Sequence, residues 1–441
     1  MEATLQDILE ARERRAARQQ QLLREYGRTL VCFTMNIAGP EKYSPLIAEG
    51  FRMGCEQLCA QLAQFPMLYS QRLPRHTGCE GFFVVDGDPE TVKARTVAIE
   101  EGSQLGRLFD MDVFRPDGTR LGRKRERRCL LCGESAKVCG RSRAHSVQAL
   151  QAATNAILTR AVFADRSRFL GEMAAKALLY EVCTTPKPGL VDRENSGSHR
   201  DMDLFTFMAS TAALQPYFTD CALAGMETAH LSPEEAFERL RFLGRAAEQT
   251  MLRATENVNT HKGAIFTLGV LCGGAGRLWA EEAPTPEQIL DTAASLCKGL
   301  TERDLAPITE ENARTAGQKL YARHGITGIR GQAEAGFPAV RCSGLPVLRE
   351  GLARGLSLER AGCAALLAML TAAGDTNLIA RSDRETAKGI CREVALLLAR
   401  DRYPDETKLR LLDELFTEQN LSPGGTADLL AATYFLHFYC D

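Results

Sequence analysis

The stretch LFDMDVF (108–114) alternates apolar and acidic side chains, which is the two-residue period of a β-strand with one buried face. Two further runs, TLVCFTMNIA (29–38) and GFFVVDG (81–87), are rich in β-branched and aromatic residues and predict two more strands. The first third of the chain is therefore predicted to be α+β. From the spacing of apolar residues, helices are expected near 4–26, across 45–64 and at 89–101.

From about Leu150 onward the pattern changes to long segments with apolar residues at i, i+3 and i+4, the period of amphipathic helices. The change falls at 162–167, where we expect one helix to end and another to begin. We therefore predict a multidomain chain, with an α+β domain at 1–164 and an all-α domain at 165–441. The predicted helices of the second domain include 168–183, 234–256, 264–281, 358–373, 385–400 and 406–418.

The chain has 441 residues, more than one ordinary hydrophobic core holds, and its net charge of −2 gives no overall attraction to nucleic acid or to an anionic membrane. It contains no apolar run of about 18 residues and no signal-peptide pattern, so we expect a cytoplasmic protein that does not enter a membrane. Its 15 cysteines lie mostly in apolar helical segments, which favours reduced thiols over a disulfide framework.

Asp110 and Asp112 fall on one face of the strand 108–114, because side chains alternate between faces. Two carboxylates on one face can hold Mg²⁺, which nucleotidyl transfer uses to neutralise a polyphosphate. A solvated strand face is the alternative interpretation.

Basic residues far outnumber acidic ones between Arg120 and Arg143, an excess suited to gripping a triphosphate or an acidic partner. An ordinary solvated basic loop is the alternative. The stretch has no aromatic residue, so the stacking surface of a single-strand nucleic-acid site is missing, and we predict no nucleic-acid partner. The candidate phosphate-binding residues are Arg128, Arg141 and Arg143, together with Arg107 before the strand 108–114.

Three cysteines and a histidine follow one another in the order C-x2-C-x6-C-x5-H. This set could close a tetrahedral zinc site, although the spacing is not a standard one. Reduced structural cysteines are the alternative. The four residues are Cys129, Cys132, Cys139 and His145.

The segment PKPGLVD (186–192) reads as a rigid loop, because its prolines fix φ and Gly189 permits a close backbone approach. Lys187 stands between the prolines and is a candidate phosphate ligand. Polar residues crowd into the nine positions before a helix that begins near Leu204, where either aspartate could instead be a helix N-cap. These candidate site residues are Asn195, His199, Asp201 and Asp203.

The segment NTHKGAIF (259–266) lies between two helical patterns, so Lys262 and the Gly263 amide would begin a helix whose N-terminus attracts phosphate. Capping is the alternative for Asn259 and His261. The segment GDTN (374–377) ends an apolar helix and offers oxygen ligands to Mg²⁺, and SPGG (422–425) begins another helix. The candidates in these two segments are Asp375, Asn377, Gly424 and Gly425.

Three N-terminal motifs resemble the transferase that loads the prosthetic group onto the acyl carrier subunit of citrate lyase. The resemblance implies a nucleotidyltransferase-like domain, with triphosphoribosyl-dephospho-CoA as donor, a serine of the apo acyl carrier (gamma) subunit as acceptor and pyrophosphate as leaving group. Asp110 and Asp112 would be metal ligands. The motifs are FTMNIAGPEK (33–42), GRLFDMDV (106–113) and RRCLLCGESAKVCGRSRAH (127–145).

The C-terminal motifs resemble triphosphoribosyl-dephospho-CoA synthase, which joins ATP to 3'-dephospho-CoA and releases adenine. The resemblance implies that the 2'-hydroxyl of dephospho-CoA attacks C1' of the ATP ribose. We expect Lys187, Lys262 and Gly263 to hold phosphates, and His261 to serve phosphate or proton transfer. Asp201, Asp203 and Asp375 would hold Mg²⁺ or act as base. We expect His199, Asp203, Lys262 and Asp375 to converge on one cleft. The motifs are PKPGLVD, the run 195–202, NTHKGAIF, GDTN and SPGGTADLLA.

The two resemblances cover nearly the whole chain, in the order of a fused citrate lyase prosthetic-group enzyme. The corresponding malonate decarboxylase enzyme is one alternative, although the cysteine-rich N-terminal motif favours the citrate lyase version. A zinc-bearing binding module on a helical scaffold is the other.

Overall fold

The computed structural model describes residues 3–123 and 125–441. The chain divides into two compact units, one ending at Ala164 and the other running from Asp165 to Asp441. No helix in the described ranges is both long enough and apolar enough to cross a membrane.

The N-terminal unit contains a four-stranded antiparallel sheet in the order β2-β3-β1-β4. The three predicted strands are present. The strand β2 was not predicted, because its side chains are mostly exposed and its sequence MLYSQRL carries no continuous apolar face. The strands are β1 (Thr29–Met35), β2 (Met67–Leu73), β3 (Glu80–Val85) and β4 (Phe109–Phe114).

Helices cover both faces of this sheet. The first helix packs on the face that carries Leu30 and Cys32, whereas the main core, with Phe33 and Phe109, lies on the opposite face. In the register of β1 and β4, Asp112 pairs with Cys32, so the two aspartates of β4 lie on the face of the first helix. The helices are α1 (Leu5–Tyr26), α2 (Pro45–Gln61), α3 (Pro89–Gly102) and α4 (Ala136–Ser142).

The helix α5 (Val147–Cys183) runs without interruption through the position where the two units divide. The expected end of one helix and start of another at 162–167 was therefore wrong. Neither glycine nor proline occurs between Val147 and Leu170, so the charged residues there interrupt the apolar pattern without ending the backbone hydrogen bonding. The change in residue composition at 162–167 therefore marks where the two units divide within one helix, and not the end of a helix.

The C-terminal unit is all-helical, as predicted. Its centre is α8, packed closely against α6: a Cβ on Gly225 of α6 would lie 2.1 Å from the Gly273 carbonyl oxygen of α8. The short helices α9 to α13 and α15 were not predicted. The helices are α6 (Leu204–Glu227), α7 (Pro233–Ala254), α8 (Lys262–Arg277), α9 (Pro286–Leu296), α10 (Leu300–Leu305), α11 (Ala316–His324), α12 (Gly328–Glu334), α13 (Leu345–Ala353), α14 (Leu358–Ala373), α15 (Thr376–Arg381), α16 (Arg384–Arg400), α17 (Glu406–Glu418) and α18 (Gly424–Cys440).

Candidate functional site

The C-terminal unit contains a cleft of about 660 Å³, within the size range of small-molecule sites. Its walls come from segments far apart in the sequence, including the loop after α5, the start of α8 and the start of α18. Most of the residues predicted for this unit line it. They are Lys187, His199, Asp201, Asn259, His261, Lys262, Gly263, Asn377, Gly424 and Gly425.

Two predicted carboxylates do not line the cleft, and their oxygens cap helices instead. Asp203 accepts hydrogen bonds from the backbone and hydroxyl of Thr206, at 2.9 and 2.7 Å. Asp375 is buried and accepts from the backbone of Leu378 at 3.0 Å and from the backbone of Thr426 at 2.6 Å. The expected convergence on one cleft therefore includes His199 and Lys262 and excludes Asp203 and Asp375, because short acidic residues at helix starts complete caps.

Two other predicted residues, Gly189 and Asn195, shape the loop before α6 rather than lining the cleft. Both bind Asp413: the Gly189 N–H donates to one carboxylate oxygen at 2.9 Å, and the Asn195 amide donates to the other at 2.8 Å. Gly189 has φ of +70°, and a Cβ there would lie 2.2 Å from the Leu421 carbonyl oxygen. These contacts fix the path of the loop that carries Lys187.

Lys187 is buried, and its ammonium forms an ion pair with the carboxylate of Glu181 on α5. Its backbone N–H donates to Asp192 at 3.0 Å. Burial raises the pKa of Glu181, and the positive charge of Lys187 acts against that rise. Glu181 lines the cleft and was missed from the sequence, where it is one acidic residue within a long helix. The charge of Lys187 is thus already balanced by the protein.

Asp428, also missed from the sequence, faces the first turn of α8 from α18. A Cβ on Gly263 would lie 1.9 Å from an Asp428 carboxylate oxygen. Burial, followed by the negative charges of Glu181 and Asp375, raises the pKa of Asp428 well above its ordinary value, and a hydrogen bond from the Ala264 backbone opposes the rise. A single acid within the apolar run TADLLAATYFL was the available signal.

His261 is buried immediately before α8 and lines the cleft. Its Nδ1 lies 2.7 Å from the Ser210 hydroxyl, and its Nε2 has no hydrogen-bond partner among the described residues. Burial, then the nearby charge of Lys187, lowers the pKa of His261 to about 3. His261 is therefore a neutral imidazole at physiological pH, with one ring nitrogen left for a ligand.

Cationic side chains also line this cleft. Lys262 lies 3.0 Å from Glu248, and Arg381 lies 3.1 Å from Nδ1 of His199. The other ring nitrogen of His199 lies 2.9 Å from the Ser422 hydroxyl. Together with Arg330, which also lines the cleft, these groups can hold a polyanion. Arg330 and Arg381 were not predicted.

In the N-terminal unit, arginines of the basic stretch reach the two aspartates of β4. Arg127 lies 3.1 Å from Asp110, and Arg120 lies 3.3 Å from Asp112. Burial raises the pKa of Asp110, the charge of Arg127 opposes that rise, and the neighbouring Asp112 adds to it. The two carboxylates and the two arginines thus form a network of alternating charge on this face of β4.

The predicted phosphate-binding arginines of this unit are not grouped around the two aspartates. Arg107 donates to the backbone carbonyl of Cys129 at 2.8 Å, which ties the cysteine-bearing loop to the segment before β4. Arg128, Arg141 and Arg143 are exposed. The aspartates instead contact Arg120 and Arg127, which belong to the same basic stretch.

The predicted metal-ligating cysteines and histidine converge. One ligand atom from each of the four residues lies within 4.8 Å of all the others. The thiols of Cys132 and Cys139 are 3.4 Å apart, and His145 Nε2 is 3.3 Å from the Cys132 sulfur. The fourth residue, Cys129, has its pKa lowered to about 6, chiefly by backbone hydrogen bonding from Cys132. This group has the composition and separation of a four-ligand zinc site.

Two protein families match this chain, in the order that the two units follow. Residues 3–161 match the family described as CitX, apo-citrate lyase phosphoribosyl-dephospho-CoA transferase. Residues 167–440 match the family described as CitG, ATP:dephospho-CoA triphosphoribosyl transferase. The matches define a bifunctional transferase. The chain belongs to the CitX and CitG families and joins the two in one polypeptide.

Two relatives agree with this assignment. The chain is 37% identical over 456 aligned positions to Protein CitXG of Haemophilus influenzae. That alignment covers 99% of this chain and 96% of that protein. It is 44% identical over 268 positions to the probable 2-(5''-triphosphoribosyl)-3'-dephosphocoenzyme-A synthase of Citrobacter koseri, covering 60% of this chain and 88% of that protein.

Proposed function

We propose that the two activities are divided between residues 1–164 and 165–441 and act in sequence, both in the cytoplasm. The C-terminal unit makes 2'-(5''-triphosphoribosyl)-3'-dephospho-CoA from ATP and 3'-dephospho-CoA and releases adenine. The N-terminal unit then transfers phosphoribosyl-dephospho-CoA to a serine of the apo acyl carrier subunit of citrate lyase and releases pyrophosphate. The description of the CitX family by its citrate lyase acceptor supports this system over that of malonate decarboxylase.

The observation that carries the C-terminal assignment is the half-buried carboxylate of Asp428 beside Gly263, within a cleft that also presents cations. A carboxylate whose pKa is raised by burial is a suitable base for a hydroxyl group. Asp428 takes the proton of the 2'-hydroxyl, and the oxygen forms a bond to C1' of the ATP ribose. The bond from C1' to N9 of adenine breaks, N9 takes a proton from the solvent, and Asp428 returns its proton to the solvent, so that no net proton is gained or lost.

The oxocarbenium character that develops on the ribose needs negative charge nearby, and Glu181 lines the same cleft. His261 offers its unpartnered Nε2 to the substrate as a neutral group. Lys262 and Arg381 hold the triphosphate. Lys187 acts through Glu181, whose charge and position it fixes.

Mg²⁺ is proposed for both units. Of the C-terminal aspartates expected to serve as metal ligand or base, Asp201 lines the cleft and keeps 66% of its side chain exposed, so it is the residue we assign to the metal of Mg-ATP. In the N-terminal unit, Asp110 and Asp112 would hold Mg²⁺ against the donor's phosphates. An antiparallel sheet with two carboxylates on one face supports the proposed nucleotidyltransferase-like fold of that unit.

Zinc is proposed for the cysteine cluster, as a structural metal. Cys129, Cys132, Cys139 and His145 supply four ligand atoms, which is a closed set with no position left for a substrate. The metal would fix the loop that also carries Arg127, and Arg107 joins that loop to β4 through the Cys129 carbonyl. The zinc would in this way hold Arg127 of the basic stretch against Asp110.

The proposed function is tested by chromatography of free adenine after incubation of the chain with ATP, Mg²⁺ and 3'-dephospho-CoA. We expect adenine only when both substrates are present. Adenine formed from ATP alone would indicate a nucleosidase, and no adenine from a folded sample would refute the C-terminal assignment.

A further inference from the structure

A second cavity, of about 420 Å³, lies in the N-terminal unit beside β4. It is large enough for a small anion with its hydration water and falls within the range of ligand sites. Asp110 of β4 lines it together with residues of α1, of β1 and the segment after it, of α2 and of the segment before β3. Its polar and charged lining includes Arg12, Arg15, Asn36, Lys42, Thr77 and Glu80.

We propose that this cavity binds the terminal diphosphate of the donor, the part that leaves as pyrophosphate, through Arg12 and Lys42. The inference rests on the proposed function of the N-terminal unit, which it extends by assigning the phosphate-binding residues. None of these residues was expected to bind phosphate, because Arg12 lies in a charged amphipathic helix and Lys42 follows a turn.

The charges of the cavity favour an anion. Arg15 is already neutralised by the buried Glu80, at 2.9 Å. Arg12 forms no ion pair or hydrogen bond with any residue in the described ranges, and Lys42 donates only to the Ile37 carbonyl there. Burial, followed by the positive charge of Arg12, lowers the pKa of Lys42, so the two cations repel each other across the cavity. An anion between them would remove that repulsion.

A buried polar atom also lacks a partner at this cavity. Thr77 lines it, and the Thr77 hydroxyl is inaccessible to solvent and makes no hydrogen bond within the part of the chain that the structure describes. A buried hydroxyl without a partner costs roughly 1–3 kcal/mol, which a phosphate oxygen would recover. Asp110 also lines the cavity, so a phosphate bound there would share it with one of the two carboxylates that we assign to Mg²⁺.

The basic stretch is less suited to this task, because its cations near β4 are already paired. Arg120 contacts Asp112, Arg127 contacts Asp110 and Arg123 forms an ion pair with Glu100. These arginines set the charge and position of acidic groups. Arg12 and Lys42, in contrast, line a cavity and form no ion pair with any described residue.

The first test maps protection of single lysines. The full chain is acylated with an amine-reactive reagent, with and without inorganic triphosphate and Mg²⁺, and labelling is quantified by peptide mass spectrometry. We expect triphosphate to slow labelling of Lys42 at least fivefold and in a saturable manner, and to leave Lys137 of the basic stretch unchanged. The Arg12→Ala variant should lose this protection. Protection of Lys137 instead of Lys42, or of neither, would overturn the proposal.

The second test separates this proposal from the function on which it rests. With purified donor and apo carrier, Arg12→Ala should raise the KM for the donor about tenfold, the effect of losing one charge-assisted hydrogen bond, and change kcat little. Arg14→Ala, an exposed neighbour on α1, is the matched control and should match the unaltered chain. Equal KM values for the two variants would refute the site. Failure of the unaltered chain to load the carrier, with Lys42 still protected, would refute the function alone.

Discussion

Gly263 and Asp428 approach so closely that a Cβ on the glycine would lie 1.9 Å from a carboxylate oxygen of the aspartate. The contact joins the first turn of α8 to α18 and sets the aspartate in the cleft. The glycine is needed because the carboxylate takes the space of a side chain. The helix start that was expected to bind phosphate directly therefore holds a carboxylate.

Gly263→Ala is expected to displace Asp428 and to reduce adenine release by about 100-fold, the scale of a misplaced acid–base group. Gly389→Ala is the matched control: it lies within α16, has no neighbouring atom within 4 Å of an added Cβ, and should leave the rate unchanged. Steady-state adenine formation measures both. An alanine at 263 with full activity would show that the contact does not matter for the reaction.

Asp428→Asn should lower adenine release by 100-fold or more, because the amide cannot accept the hydroxyl proton. ATP binding should persist, since the cations of the cleft are unchanged, and calorimetric titration with Mg-ATP measures it. Glu418→Gln, an exposed acid at the end of α17, should change neither quantity. Retained turnover in Asp428→Asn would assign the base to another residue.

Asp203→Ala tests whether the Asp203 carboxylate caps α6 or takes part in the reaction. Loss of the cap of α6 should lower the free energy of unfolding by about 1 kcal/mol, as measured by urea titration. Adenine release should stay within about threefold of the unaltered chain, because the Asp203 carboxylate does not line the cleft. A folded variant without activity would restore Asp203 as a metal ligand.

His261 makes the helical unit sensitive to acid. Its folded-state pKa is about 3 and its ordinary value is 6.5, so between these limits the unfolded chain binds a proton that the folded chain does not. The free energy of unfolding is therefore unaffected by His261 above pH 6.5 and falls as the pH drops toward 3. The loss at pH 5 is about 2 kcal/mol. His261→Asn should remove this loss, whereas His324→Asn, at an exposed histidine, should retain it.

The single tryptophan, Trp279, lies in the C-terminal unit, so its fluorescence follows urea unfolding of that unit at pH 7 and pH 5. If the free energy of unfolding changes equally between pH 7 and pH 5 in the unaltered chain and in His261→Asn, then His261 binds its proton as readily in the folded chain as in the unfolded one.

Zinc in the cysteine cluster is tested by elemental analysis of the purified chain. We expect about one zinc per chain, and Cys132→Ser should lose it, because three ligands rarely retain a structural metal. Cys342→Ser, at an exposed cysteine outside the cluster, should keep it. A metal-free native chain that still loads the carrier would refute the zinc site.

Local chemistry made much of the helical unit predictable. The end of α14 at Gly374 follows from the preference for glycine after a helix, and α8 starts at Lys262, two residues before the predicted helix 264–281. The uninterrupted α5 was not predictable in the same way, because charged residues interrupt its apolar pattern although no glycine or proline between Val147 and Leu170 ends the helix. The edge strand β2 has too few buried side chains to produce a periodic signal.

The candidate site was also predictable only in part. The motifs identified loops that meet at the cleft, such as those of His199 and Lys262. They did not distinguish an acid that caps a helix, as Asp375 does, from one that faces the cleft, as Asp428 does. That distinction depends on contacts between α8 and α18, which are far apart in the sequence.

Two sites that act in sequence in separate units can be tested directly by measuring the intact mass of apo carrier. The carrier is incubated with the chain, ATP, Mg²⁺ and 3'-dephospho-CoA. We expect it to gain one phosphoribosyl-dephospho-CoA while adenine is released. With Asp110→Asn we expect adenine but an unmodified carrier, and with Asp428→Asn we expect neither product. Loss of adenine release in Asp110→Asn, or a loaded carrier in either variant, would contradict two sites that act in sequence.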